Sequence, residues 1–215
     1  MAKKAPKKEY TNIITPIGVL SYPYLLKPDT GRTESSGKYS AEIYVPKAVW
    51  AKEGKPVVEA ILKVAREYFK NPKIKLSEFK SPITDMDTVK DAKDFQKGCI
   101  RIRAKAGVEH RPVVIAPTKV DDKFPVWTDE QVATIKGGDH VRLIGSVYGY
   151  PQQGGGIAIG LNFVQFAKVG KAIGEGRMAQ LKELEEIEVE VDSPDSMVDV
   201  EEDDSDDTDP MMQFG

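Results

Sequence analysis

Arg101, Arg103 and Lys105 are spaced two residues apart and alternate with Ile100, Ile102, Ala104 and Ala106. In an extended strand successive side chains point to opposite faces, so the apolar set turns inward and the cations stand in a line about 6 to 7 Å apart. Like charges in a row repel unless an anion lies across them, and that interval is close to the repeat of an extended nucleic-acid backbone. The chemistry on offer is phosphate contact, against the plain alternative of a solvated strand face.

A second group combines cations with rings. Lys119, Lys123, Phe124 and Trp127 share a proline-containing loop, and Tyr148 and Tyr150 alternate with apolar residues beyond Arg142. Cations that follow a backbone and rings on which any base can stack are what single-strand binding requires, at about 1 to 3 kcal/mol per stacked base. Trp127 is equally suited to a core, and both readings stay open.

Charge is divided along the chain. Of the 34 acidic residues, 15 lie between 183 and 215, where there is no Lys or Arg, leaving 19 against all 31 basic residues elsewhere. The formal net charge of −3 thus joins a body with an excess of twelve positive charges to a polyanionic tail. Blocks of like charge stay disordered and act as interaction tails or as solubilising appendages. The tip Pro210-Met211-Met212-Gln213-Phe214-Gly215 is apolar, which a pure solubiliser does not need and a docking peptide does. A polyanion attached to a cationic surface also competes for whatever site that surface offers to another polyanion.

Composition narrows the classes. With 215 residues, 40% of them hydrophobic, the chain can build one sizeable core after the tail and a short basic start are set aside. Cys99 is the single cysteine, so no intramolecular disulfide forms and a reducing compartment is expected. No apolar run approaches the roughly 18 residues that span a bilayer, and the start has no hydrophobic signal region, so a cytoplasmic protein with no membrane partner is expected. His110 and His140 lack metal-ligand spacing and there is one cysteine, so zinc and thiol chemistry lack ligands, and nothing local points to paired carboxylates, which only the fold could bring together. Asp85, Asp87, Asp91 and Asp94 lack the glycine and final glutamate of a calcium loop. No enzyme, cofactor or metal is expected.

The elements that must position these residues follow in order. Residues 1–9, with Lys3, Lys4, Lys7 and Lys8, form a disordered basic arm. One strand, bent by Pro16 and Pro23 and carrying Tyr22 and Tyr24, runs from Ile13 to Leu26. After a loop to Gly37, a strand from Lys38 to Val45 puts Tyr39, Ala41, Ile43 and Val45 inside and Lys38, Ser40, Glu42 and Tyr44 outside. Pro56 opens a helix that Asn71-Pro72 stops. Residues 72–96 are an irregular excursion, Gly98–Ala106 the cationic strand, Val113–Ala116 a short strand, and Thr128 caps a helical turn. From 139 to 169 two alternating strands meet at a glycine-rich turn, with Ile157, Ile159, Leu161 and Phe163 on the returning strand. Gly154-Gly155-Gly156 lacks the helix and lysine of a phosphate loop, so it is read as a hairpin tip. Strand glycines 145, 149 and 160 imply the coiling of a small closed barrel.

About six strands and one or two helices with long loops suggest a mainly β, OB-fold-like barrel over residues 10–175 and an acidic, disordered tail over 176–215. Here Gly155-Gly156-Ile157-Ala158-Ile159-Gly160-Leu161-Asn162-Phe163-Val164-Gln165-Phe166, with Val141-Arg142-Leu143 before it, resembles the closing hairpin of tailed-phage single-stranded-DNA-binding proteins. The early Tyr22-Pro23-Tyr24-Leu25 and Tyr39-Ser40-Ala41 are similar too. The resemblance implies an OB fold that holds single strands without strong sequence preference, with an acidic tail that covers the groove and recruits replication or recombination proteins. In that family the aromatic ends the tail, whereas Phe214 is penultimate here. The expected binding set is Tyr22, Tyr24, Lys38, Tyr44, Arg101, Arg103, Lys105, Lys123, Trp127, Arg142, Tyr148 and Tyr150, with Met211, Met212 and Phe214 for a protein partner. Homodimerisation is left open. The alternatives are a non-enzymatic phage structural or assembly protein that docks through its tail, and a metal-dependent nuclease.

Overall fold

The computed structural model describes residues 10–30, 37–151 and 155–173. The chain divides into two units, Met1–Gly174 and Glu175–Gly215; the second lies outside the described residues, as does the basic arm. In the first unit the strands are β1 (Thr11–Ile14), β2 (Gly18–Asp29), β3 (Lys38–Pro46), β4 (Ile83–Asp85), β5 (Cys99–Gly107), β6 (Val113–Ile115), β7 (His140–Tyr150) and β8 (Gly156–Lys168). Helices α1 (Lys47–Glu53) and α2 (Lys55–Phe69) follow β3, and α3 (Asp129–Ala133) precedes β7.

Five strands close on themselves. β2 pairs with β3, β3 with β5, β5 with β8, β8 with β7, and β7 returns to β2. All these pairings are antiparallel except β5 with β8, so the third and fifth barrel strands run parallel. A small five-stranded barrel of this kind is the OB architecture. β1 adds to β7 and β6 to the far half of β8. The mainly β expectation holds, with a short helix, α1, that no sequence signal marked.

Alternation explains the core. Ile43 and Val45 on β3, Ile102 and Ala104 on β5, Val141, Leu143 and Val147 on β7, and Ile157, Ile159 and Leu161 on β8 are all nearly or fully buried. Each such Val, Leu or Ile contributes roughly 1.5 to 3 kcal/mol by leaving water. The helix α2 closes one end of the barrel with Val57, Ala60, Ile61, Val64 and Ala65. Its start carries Pro56, whose missing N–H is no loss in the first turn, and its end passes through Lys70 in the left-handed region at φ 52°.

Two prolines shape the entry. The single bent strand expected from Ile13 to Leu26 is two strands, because Pro16 cannot donate to a ladder. Thr15 bridges the break: its N–H donates to the Leu143 carbonyl at 2.9 Å, and its Oγ1 accepts from the Leu143 N–H at 3.0 Å. Pro23 sits where the β2–β3 register shifts, and Tyr22 before it takes φ 46°.

The excursion from 72 to 96 is less irregular than its composition suggested. Its strand β4 lies along the first half of β5, pairing Ile83 with Ile102 and Thr84 with Arg101. β8 covers the second half of β5 through Ala104 and Lys105. Asp85 and Asp87, considered as metal ligands, are held by the Lys47 ammonium at 2.8 and 2.6 Å. Among the described residues no group of three or more His, Cys, Asp or Glu is placed to hold a metal ion.

The closing hairpin carries one irregularity with consequences. The β7–β8 register shifts between Ile144 and Gly145, and on β8 both Asn162 and Phe163 face outward. Such a bulge bends the strand and re-aims side chains. Gly145 is required there, since a Cβ would stand 2.0 Å from the Gly160 carbonyl oxygen. Alternation had placed Phe163 with Leu161; the bulge instead turns Phe163 out, 40% exposed, and Val164 in.

Candidate nucleic-acid interface

Arg101, Arg103 and Lys105 project from the outer face of β5 and, with Lys38, line one open trough of about 860 Å³. The opposite wall is the end of β7, with Tyr148, Tyr150 and Pro151. Between them runs β8, which lines the trough with Ile157, Ala158 and Ile159; Ala158 faces outward, while Gly156 is buried beneath Tyr150 and Lys80. The register fixes this order: Lys105 pairs with Gly160, and Tyr148 and Tyr150 pair with Ala158 and Gly156. Two strand spacings separate the walls, about 10 Å. Ala158 and the backbone on either side of it thus form the floor, with cations along one side and phenol rings along the other.

The cations differ in how they are held. Arg103 donates from Nε to Glu42 Oε2 at 2.7 Å, and Arg101 from Nη2 to Thr84 Oγ1 at 3.1 Å. Lys105 is pushed below its ordinary lysine pKa by burial first, then by the positive charges of Arg103 and Lys38. An anion across the trough relieves that repulsion. Tyr148 is pushed above the usual phenol range, mainly by burial and then by Tyr10 and Tyr150, and its ring lies over Gly160, where a Cβ would meet it at 3.5 Å.

Six of the expected residues therefore share one surface: Lys38, Arg101, Arg103, Lys105, Tyr148 and Tyr150. Tyr24, 39% exposed, continues the row through Ser40 to Lys105 across β2, β3 and β5. Tyr22 is 59% exposed, and its hydroxyl accepts from Lys93 Nζ at 3.0 Å. Both lie outside the trough lining.

Others are placed differently. Tyr44 was expected on the stacking surface, but it is 2% exposed. Its hydroxyl donates to Glu42 Oε1 at 2.5 Å and accepts from Gln96 Nε2 at 2.8 Å, while Phe95 meets its ring edge-on at 5.5 Å. The turn at Asp94–Gln96 covers it, so it supports the floor and cannot receive a base. Trp127 stacks on Phe166 with ring centres 4.7 Å apart and packs against the core, which resolves its two readings toward packing. Lys123 and Arg142 are not part of the trough lining: Lys123 is bridged to Val120 in its loop, and Arg142 pairs in register with Gln165. Met211, Met212 and Phe214 fall outside the described residues.

Sequence reading missed Ser81, Pro82 and Thr84, which edge the trough beside Arg101. A three-residue strand offers no periodicity to detect. It also missed Tyr10, 59% exposed, whose ring centre lies 6.5 Å from that of Tyr148. An isolated tyrosine after a lysine arm was the available signal.

Fold and surface together define an OB-type barrel whose outer face carries a cationic trough with an aromatic wall. The chain belongs to the family of the Enterobacter phage Enc34 ssDNA-binding protein, which it matches over residues 11–194. Its fold is similar to that of the single-stranded DNA-binding protein from bacteriophage Enc34 in complex with ssDNA, at 24% identity and TM-score 0.63, covering 76% of this chain and 89% of that one. A second structure of that phage protein matches at 24% identity and TM-score 0.60, covering 77% and 86%. Its C-terminal truncation matches at 22% and 0.60, covering 75% and 88%. No curated protein matches the chain.

Proposed function

We propose that this chain binds single-stranded DNA without strong sequence preference along the trough, and protects it during phage DNA replication or recombination in the host cytoplasm. The observation that carries the reading is the pairing of walls: β5 cations opposite β7 tyrosines across β8, where Ala158 faces out between them. Phosphates follow the cations, while bases reach the rings over a floor too small to obstruct them. In OB barrels the second and third strands, with the loops that join strands one to two and four to five, hold oligonucleotides. Here the corresponding residues Lys38, Arg101, Arg103, Lys105, Tyr150 and Pro151 line the trough. Membership of the Enc34 family supports the same ligand.

The tail fits this reading as a regulator. Fifteen acidic residues between 183 and 215 compete with DNA for the cations, and the tip with Met211, Met212 and Phe214 recruits replication or recombination proteins. Fluorescence anisotropy of a labelled unstructured oligonucleotide tests both parts. Affinity should fall steeply with salt, by about 0.7 in log–log slope for each phosphate neutralised. Deleting residues 183–215 should tighten binding; an intact protein that binds no oligonucleotide at low salt defeats the proposal, and a truncation that binds no better defeats the competition.

A further inference from the structure

Beyond Ala158 the outer face of β8 continues past Gly160, over which the Tyr148 ring lies. The next outward positions on β8 are Asn162 and Phe163, and the bulge places both on the same face. Asn162 Nδ2 donates to Ser146 Oγ at 3.2 Å, and Ser146 Oγ donates to Asn12 Oδ1 at 3.1 Å, forming a polar step across β8, β7 and β1. Beyond this step the register aligns Phe163 with Ile144, and Ile144 with Ile14. Ile14 is 59% exposed and Phe163 40%. They bound a separate recess of about 310 Å³ that also includes Gly145 and Asn162.

An apolar row on the outside of a strand that is otherwise polar or small needs an occupant. Position argues for which one. From Gly156 to Phe163 the face of β8 runs about 20 Å, and every outward residue before Asn162 is Gly or Ala. A strand that passes Ala158 and the Tyr148 ring above Gly160 is led over the polar step to Phe163. Resting on the reading of the trough as a single-strand groove, we propose that Phe163, flanked by Ile14 and Ile144, is a stacking platform for one unpaired base at the far end of the path. This recess extends the binding site beyond the cations and sets how many nucleotides one chain covers. The bulge at Gly145 is the device that turns the ring toward its ligand.

Oligothymidines of roughly four to twelve nucleotides, within the range that OB folds cover, provide the test. The intact protein should gain affinity as length passes the end of the trough. Phe163→Ala and Ile14→Ser should each lose about tenfold of that gain. A long oligomer with abasic sugars at the end that reaches the recess should bind the intact protein as weakly as the full oligomer binds Phe163→Ala. Ile14→Ser keeps the test open if Phe163→Ala unfolds, because Ile14 is the more exposed of the two. Native-like affinity of both variants for the longest oligomer would overturn the subsite. So would sedimentation that shows an intact dimer dissociated by both variants, because the row would then join two copies of the chain. Failure of the intact protein to bind at any length would instead refute the trough reading itself, and the subsite with it.

Discussion

Glu42 and Arg103 form an ion pair in which the carboxylate is nearly buried, at 11% side-chain exposure, and the guanidinium is 48% exposed. The buried partner also accepts from the Tyr44 hydroxyl, which in turn accepts from Gln96. An acidic residue beneath a cationic trough looks opposed to anion binding. Its position explains it: Glu42 holds one edge of the arginine fork below the surface, so the remaining donors of Arg103 are oriented outward.

Arg103→Ala should therefore cost stability as well as affinity. It leaves the buried Glu42 carboxylate without its cation while the Tyr44 hydroxyl still donates to it, a loss of about 2 kcal/mol. Arg101→Ala, whose partner is the neutral Thr84, should cost little stability while weakening binding similarly. Thermal denaturation of both variants, beside their oligonucleotide affinities, separates the two roles; equal melting points would contradict the anchoring by Glu42.

Lys105 makes binding depend on pH. Its pKa is lowered in the free protein, and a phosphate beside it raises the pKa again. Binding therefore takes up a proton in the window between the free and bound values, and affinity falls as pH rises through that window. For folding the sign is opposite: the unfolded state holds more protons between the lowered pKa and 10.5, so Lys105 makes stability rise with pH there. Lys105→Arg should flatten the alkaline decline in affinity, which anisotropy titrations across that pH range will report.

Tyr148 and Trp127 should part company. Tyr148→Ala removes a wall of the trough and should weaken binding by about 1 to 3 kcal/mol with a modest stability loss. Trp127→Ala removes the ring stacked on Phe166 and should destabilise the fold by about 3 kcal/mol while leaving oligonucleotide affinity near native. Chemical denaturation and binding curves on the same two proteins check the division. A larger binding loss at Trp127 would place the interface on the wrong side of β8.

Much of this was legible in period-two alternation. The cationic face of β5, the hairpin of β7 and β8, and the helix after Pro56 follow from side-chain spacing alone. Alternation failed where a second layer or a register shift intervened. Tyr44 and Glu42 occupy outward positions on β3 yet are buried: the turn from Asp94 to Gln96, about fifty residues away in sequence, meets Tyr44, and Glu42 is held between Tyr44 and Arg103. Phe163 reads as inward until the bulge at Gly145 inverts it. The edge formed by Ser81, Pro82 and Thr84 depends on β4 lying along β5, which a three-residue strand cannot announce.

The small floor can be tested without touching a charge or a ring. Ala158 faces outward between the walls, so a larger side chain there projects into the trough and leaves the core packing intact. Ala158→Leu should keep the native melting temperature within a few degrees, since outward substitutions of this kind fall within about 0.5 kcal/mol. Affinity for single strands should nevertheless drop at least tenfold, and the salt dependence should persist because all four cations remain. The combination distinguishes steric filling from lost electrostatics: neutralising Lys38 or Lys105 lowers the salt slope, whereas Ala158→Leu shifts the whole line downward. Unchanged affinity with leucine at this position would mean that DNA does not lie along β8, and the walls would have to serve some other ligand.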